Sequence, residues 1–311
     1  MVESVALGQS PVRVVPLGLG TWAWGDRAVW GYGGAYGEKE VREAFQASLD
    51  GGVNFLDTAE MYGRGLSERM VGELTRGRSL VIATKFMPVR WSASTLPGAL
   101  DASLARLERS QVDLYQIHWP VPWLPIRSLM NRLADAVKAG KVKAVGVSNF
   151  SERQMRTAHS ALAAHGVPLA SNQVEYSLLH RKPESSGVLA ACRELGVTLI
   201  AYSPLAKGAL SGKYSGTVRP SGARRWMPSF GVGRMEQAES TLQVVRAVAE
   251  RHGKTPSQVA LRWLIQQGTV PIPGAKDGKQ AADNAGALGF SLEKGEMDEL
   301  DRVSRSWLPP A

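Results

Sequence analysis

Short apolar, β-branched runs alternate with amphipathic stretches along the chain. The runs fall at Leu17–Thr21, Asn54–Asp57, Leu80–Lys85, Val112–His118, Val142–Ser148, Ala170–Gln173, Thr198–Ser203 and Thr269–Pro273. Each has strand length and is flanked by polar or turn residues, the pattern of a strand covered on both faces. Between them apolar positions recur at helical spacing. Leu96, Leu100, Ser103, Leu104 and Leu107 make one such face, and Val41, Ala44, Phe45, Ser48 and Leu49 another. Gly140 and Gly196 stand where helices should stop before strands restart.

Strand–helix units repeated without a linker predict a parallel sheet joined by right-handed crossovers. Eight such units close into a ring. The predicted fold class is therefore α/β, a single (β/α)8 TIM barrel spanning 1–311 as one domain. Val5–Val15 reads as a β-hairpin outside the repeat, covering the barrel floor. Segments near Glu236–His252 and Leu292–Arg305 read as extra helices. The stretch Gly18-Leu19-Gly20-Thr21-Trp22-Ala23 fits the loose GxGxxG/A dinucleotide fingerprint. That motif needs a helix at its end. Trp24-Gly25-Asp26 and Gly31-Tyr32-Gly33-Gly34 follow instead, so the match is rejected.

Composition narrows the class without choosing the activity. With 44% hydrophobic and 21% charged residues, disorder is not expected. The net charge of +9 is spread along the chain rather than gathered on an aromatic-studded patch, so no nucleic-acid partner is expected. One tight group, Arg219, Arg224, Arg225 and Trp226, could meet a phosphorylated ligand. Cys192 is the only cysteine and lies in an apolar run, which excludes an internal disulfide and reads as a buried hydrophobe. Residues 1–15 resemble neither a signal nor a transit peptide, and no membrane-spanning run is found, so a cytoplasmic location is expected.

Function in parallel α/β folds gathers at the carboxyl ends of the strands. Here those ends carry Asp57, Lys85, His118, Ser148-Asn149, Gln173 and Tyr202-Ser203. Singly, Asp57 could cap a turn, Lys85 could reach solvent and His118 could be a satisfied core residue. Their convergence on one rim favours chemistry. Tyr62 lies five residues beyond Asp57. A free phenol, with a pKa of about 10, is poorly matched to neutral acid–base work, and a nearby ammonium lowers it. The expected relay has Asp57 holding Lys85 charged and Lys85 tuning Tyr62. Tyr62 then protonates a carbonyl oxygen that His118 helps to orient, while a bound nicotinamide brings the hydride.

These residues sit in Asp57-Thr58-Ala59-Glu60-Met61-Tyr62-Gly63, Ala83-Thr84-Lys85, Asp113-Leu114-Tyr115-Gln116-Ile117-His118-Trp119, Gly146-Val147-Ser148-Asn149-Phe150, Asn172-Gln173-Val174 and Ala201-Tyr202-Ser203-Pro204-Leu205. In these motifs the chain resembles the aldo-keto reductase family, from Gly18 to about Ser304. The resemblance implies a (β/α)8 barrel, NADP (NADPH) as cofactor and a tetrad of Asp57, Tyr62, Lys85 and His118. It also implies that Ser148, Asn149 and Gln173 hold the nicotinamide amide, with Tyr202 stacked on the ring. Thr21, Trp22 and Asp57 would border the same end. Ser203, Pro204, Leu205, Ala206 and Gly208, with Lys213, match the loop over the pyrophosphate. Gly274, Lys276, Gln280 and Asn284 match the adenosine end, beside a helix over Asp277–Ala287 whose N-terminus favours an anion. Many relatives hold the 2′-phosphate with a further arginine; Gln280 and Ala282 occupy that neighbourhood here while Lys276 remains, so the resemblance implies NADP as the favoured cofactor, with some tolerance of NAD.

Gly20-Thr21-Trp22-Ala23-Trp24-Gly25 and Pro271-Ile272-Pro273-Gly274-Ala275-Lys276 resemble the bacterial and plastid branch of the family, which includes pyridoxal reductases. Trp22, Trp24, Trp30, Tyr32, Trp91, Trp119 and Trp123 are expected around the mouth, giving a pocket for a small apolar or aromatic aldehyde or ketone, pyridoxal-like in type. Two rival readings remain: an NADPH-binding sensor or regulatory subunit with little turnover, and a lyase using Lys85 as a Schiff base.

Overall fold

The structure is a computed structural model that describes residues 3–88, 92–215, 218, 220, 222–231 and 233–309. A two-stranded antiparallel hairpin, β1 (Val5–Ala6) and β2 (Arg13–Val14), precedes an eight-stranded parallel sheet. Its strands are β3 (Leu19–Gly20), β4 (Phe55–Asp57), β5 (Val81–Phe86), β6 (Val112–Ile117), β7 (Val142–Ser148), β8 (Leu169–Glu175), β9 (Thr198–Tyr202) and β10 (Val270–Pro271). Each pairs with its neighbour in chain order. The two ends of the sheet also meet. Gly18 N–H donates to the Pro271 carbonyl at 2.9 Å, Gly20 N–H to Pro273 at 3.0 Å, and Gly20 bridges Gly274 in parallel. This curled, end-to-end sheet is consistent with a (β/α)8 barrel.

The helices are α1 (Glu38–Asp50), α2 (Leu66–Leu74), α3 (Leu96–Leu107), α4 (Ile126–Lys138), α5 (Glu152–Ala163) and α6 (Lys182–Ser185), followed by α7 (Val188–Leu195), α8 (Arg234–Arg251), α9 (Pro256–Gln266), α10 (Gly278–Ala285) and α11 (Lys294–Val303). The apolar spacing chose their inward faces correctly. In α3 the buried residues are Leu96, Leu100, Ser103, Leu104 and Leu107; in α1 they are Val41, Ala44, Phe45 and Ser48, with Leu49 at the margin. The two helices read near the C-terminus are α8 and α11. No helix begins after the rejected glycine fingerprint until Glu38. Cys192 is buried in α7, and burial pushes its thiol up to about 12. Among the described residues no helix is long and apolar enough to cross a membrane.

Inside the ring, Phe55, Ala83, Leu114, Ala144, Ala170, Ile200, Val270 and Ile272 form a core distinct from the one between strands and helices. Leu7, Val12 and Val14 of the hairpin close this core from below. Gly8 N–H donates to Thr198 Oγ1 at 2.7 Å, and Gly8 has φ +56° against the Ala170 carbonyl, where a Cβ would lie 2.7 Å from the oxygen. The apolar layers end two residues further along several strands, where polar side chains begin. That change of composition sets where the site lies.

Candidate active site

Asp57 closes β4, and its inward carboxylate gathers three donors in the ring. Lys85 Nζ lies 2.5 Å from Oδ1, Gln173 Nε2 donates to Oδ2 at 2.8 Å, and Gln116 Nε2 lies 3.3 Å from the same oxygen. Lys85 also donates to the Thr58 carbonyl at 2.8 Å and lies 3.4 Å from the Tyr62 hydroxyl. Both Lys85 and Asp57 are buried. A charge pair so placed is tolerable only because its remaining polar atoms are hydrogen-bonded.

Tyr62 reaches Lys85 through an unusual turn. The three residues after it, Gly63 (φ 55°), Arg64 (φ 55°) and Gly65 (φ 86°), all adopt left-handed backbone before α2 begins. Glycine carries two of these positions without steric cost. The turn sets the Tyr62 ring edge-on to His118, with centroids 5.8 Å apart.

Electrostatics changes one expectation. Burial pushes the Tyr62 phenol up; Lys85 pulls it down but does not outweigh burial and the Asp57 charge. The phenol is thus kept protonated rather than made acidic in the free protein. Desolvation likewise opposes the Lys85 charge, yet Asp57 and Tyr62 raise its pKa above the ordinary lysine value. Burial, with the Lys85 charge behind it, pushes His118 down to about 3, so its imidazole is neutral. His118 Nδ1 is buried without a hydrogen-bond partner among the described residues.

A cavity of about 1080 Å³ opens above these groups. Along one wall Asn149, in left-handed backbone (φ 61°), donates through Nδ2 to the His118 carbonyl at 3.1 Å, and its Oδ1 accepts from Tyr202 OH at 3.0 Å. Ser148 Oγ donates to the Gln173 carbonyl at 2.9 Å. Beyond them, Ser203, Pro204, Leu205, Gly208 and Lys213 line the cavity, and so do Gly274, Lys276, Gln280 and Asn284 at its far end. Thr21 and Trp22 border the end nearer Tyr62. The cavity therefore joins an acid–base cluster to a long, glycine-bordered trough with lysines at its remote end. The site residues expected from sequence line it with two exceptions: Lys85 lies beneath the cavity surface, and Ala206 is buried behind its loop at φ 48°.

Several expected features fall differently. Trp24 is fully buried and donates its indole N–H to the Ala275 carbonyl at 3.0 Å, so it packs and does not face the mouth. Tyr32 packs on Tyr36. Of the seven aromatics expected around the mouth, Trp22, Trp30 and Trp119 line the cavity, and Trp123 is exposed outside it. Trp91 and Arg219 lie outside the described residues, as does the side chain of Arg224. Arg225 stacks over Trp226, 4.9 Å from its ring centroid, away from the cavity lining. The helix expected over Asp277–Ala287 is present as α10, which a 3-10 turn over Gly286–Leu288 continues. Its N-cap is the Asp277 side chain, which accepts from Gln280 N–H, so a carboxylate already occupies the expected anion position.

Sequence reasoning missed the ion pair between Glu175 and Lys207, 2.8 Å apart on the cavity wall. It also missed Met61, Met87 and the start of α9, where Thr255, Pro256 and Ser257 line the trough. The Thr255–Gln258 capping box marks that helix start in the sequence, but not the direction in which it points.

A model of the aldo/keto reductase family matches residues 16–305. Pyridoxal reductase, chloroplastic, of Arabidopsis thaliana is 37% identical over 97% of this chain and 86% of its own length. An uncharacterized oxidoreductase of Mycobacterium tuberculosis is 40% identical over 96% of this chain and 91% of its own. Among solved structures, an aldo-keto reductase of Klebsiella pneumoniae in complex with NADPH is 27% identical, with a TM-score of 0.77 and coverage of 100% and 98% of the two chains. Glycerol dehydrogenase of Gluconobacter oxydans is 27% identical, with a TM-score of 0.85 over 98% and 96%. Fold and relatives together define a barrel-type oxidoreductase. The chain belongs to the aldo/keto reductase family.

Proposed function

We propose that this protein, acting as one (β/α)8 barrel over 1–311, reduces an aldehyde or ketone to the alcohol with NADPH, and that Tyr62 supplies the proton. The observation that carries this reading is the Lys85 ammonium, 2.5 Å from Asp57 and 3.4 Å from the Tyr62 hydroxyl, beneath the cavity. The donor set suits the cofactor: Ser148, Asn149 and Gln173, which line the cavity beside His118, would hold the amide, and Tyr202 would offer a ring face. Ser203 to Gly208 and Lys213 would cover a pyrophosphate, and Gly274, Gln280 and Asn284 would border an adenosine. When bound, NADPH supplies the hydride.

The protein's own groups do the rest. His118, neutral, donates a hydrogen bond to the carbonyl oxygen and turns its carbon toward the hydride donor. Tyr62 donates its O–H proton to that oxygen as negative charge develops there. The phenolate left behind lies beside Lys85, whose charge compensates it until a solvent proton returns. A raised resting pKa serves this order of events, because the phenol stays loaded and releases its proton only to a strongly basic oxygen. Trp22, Trp30, Met61, Met87 and Trp119 favour an apolar or aromatic carbonyl, and the Arabidopsis relative's name supports a pyridoxal-like one. Asp277 at the α10 N-terminus supports tolerance of NADH beside NADPH.

The test is NADPH and NADH oxidation with a panel of aliphatic aldehydes, aryl aldehydes, ketones and pyridoxal. Carbonyl-dependent oxidation is expected, fastest with aromatic aldehydes. Nucleotide binding with no carbonyl turned over would overturn the reading and favour a sensor.

A further inference from the structure

Lys276 lines the trough where a cation would be expected to meet a cofactor phosphate, but its ammonium is turned elsewhere. Nζ donates to the Trp30 carbonyl at 2.9 Å. It also lies 5.1 Å from the Trp30 ring centroid and 4.8 Å from that of Tyr36. Tyr36 is itself fixed, since its hydroxyl donates to the Ala23 carbonyl and its ring is buried. The loop around Lys276 is tied down as well. Lys276 N–H donates to Gln280 Oε1 at 3.3 Å, and Gln280 Nε2 donates to Asp277 at 2.6 Å.

The contacts continue from Trp30 toward the proposed chemistry. Trp30 packs edge-on against Trp22, with centroids 5.4 Å apart, and Trp22 lies 6.5 Å from the Tyr62 ring. Trp22 and Trp30 both line the cavity. A single lysine from the loop after β10 therefore pins the aromatic wall contributed by the loop after β3.

We infer that Lys276 is a positioning residue for the carbonyl pocket, holding Trp30 and through it Trp22 beside Tyr62, rather than an anchor for a cofactor phosphate. The physical basis is a cation held between two ring faces and a carbonyl. A phosphate would have to draw it away from all three. Substrate affinity then depends on Lys276, because a displaced Trp30 removes one wall of the pocket. Cofactor affinity depends on it little.

This inference rests on the carbonyl-reduction reading for its kinetic consequence but not for its structural one, so both are measured. Lys276→Met keeps the aliphatic stem and removes the charge; Lys276→Arg keeps a cation that can lie on the rings. For the methionine variant the expected result is an aryl-aldehyde KM raised about tenfold with kcat little changed, the signature of lost ground-state binding. The NADPH Kd, from quenching of protein fluorescence, should stay within about twofold of the parent. Near-ultraviolet circular dichroism of the ligand-free protein should lose intensity in the tryptophan region, and arginine should restore both dichroism and KM. An NADPH Kd weakened about tenfold with KM and dichroism unchanged would make Lys276 a phosphate anchor and overturn the inference. A lowered Tm with KM and dichroism unmoved would make its role merely structural and overturn it too. If the parent protein turns over no carbonyl, the proposed function fails by itself. Dichroism still decides this inference, which an unchanged spectrum in the methionine variant would overturn.

Discussion

The Tyr62 proton is held between two opposing effects, burial that retains it and the Lys85 charge that would release it. Removing the hydroxyl alone, in Tyr62→Phe, should lower kcat for carbonyl reduction by about 10²-fold or more while the NADPH Kd is preserved, as steady-state rates and a fluorescence titration would show. Because burial places the phenol above its ordinary value, reduction should show no loss of kcat/KM from a basic limb between about pH 7 and 9. His118 makes a separate prediction about stability. Its folded pKa of about 3 lies below the ordinary histidine value of about 6.5, so the unfolded chain binds a proton that the folded chain refuses. That contribution is fully present above the unfolded value and is lost as pH falls from there toward 3, by up to about 1.4 kcal/mol per pH unit. Urea unfolding at pH 7 and 5 should show the loss, and His118→Gln should reduce it.

At the scale of elements, the polar layer above the apolar ring depends on one missing side chain. A Cβ on Gly146 of β7 would sit 2.3 Å from Ser171 Oγ and 3.1 Å from Cγ of Gln116. Gln116 reaches Asp57, so Gly146→Ala should disturb the buried charge pair as well as β7–β8 packing. The expected loss is about 1–3 kcal/mol of stability, with a fall in kcat that Tm alone would not foretell. The mount of the Tyr62 turn is equally specific. Glu68 of α2, fully buried, accepts from Thr84 Oγ1 at 2.6 Å and from Arg106 Nε of α3 at 2.6 Å. Glu68→Ala strands both donors and should cost about 3 kcal/mol, read as a shift in the denaturant midpoint.

Across the whole molecule, the hairpin-sealed core and the proposed site occupy opposite ends of the ring. Leu7, Val12 and Val14 of the hairpin complete the inner core at one end, and the cavity opens at the other. Leu7 is fully buried, and Leu7→Ala should lower unfolding free energy by about 3 kcal/mol. Below the unfolding transition, KM for the carbonyl and Kd for NADPH should be unchanged. A change in either would mean that the floor and the mouth are mechanically coupled.

The strands were legible because a buried parallel strand has little freedom of composition: it must be short, apolar and β-branched, and eight such runs stand in the chain. Their polar ends were legible for the same reason, since a charge at the end of an apolar run calls for a partner. Asp57, Lys85 and His118 could thus be named from their positions, and Tyr62 from its motif beside them. The direction of the Tyr62 shift could not, because it is the difference between desolvation and attraction, and only packing sets the first. Nor could the aromatic wall be sorted. Trp24 and Trp30 look alike in sequence, yet one donates its indole to a buried carbonyl while the other faces the cavity under Lys276. The chain by itself determined the alternation, the inward helix faces and the kinds of group at the rim, all of which follow from local periodicity. Tertiary structure alone decided which of those groups touch. The nearness of Lys85 to Tyr62 was expected from the rim and its motifs, but Lys276 and Trp30 are brought together only when the ring closes, and contact across such a separation leaves no periodic trace in a sequence.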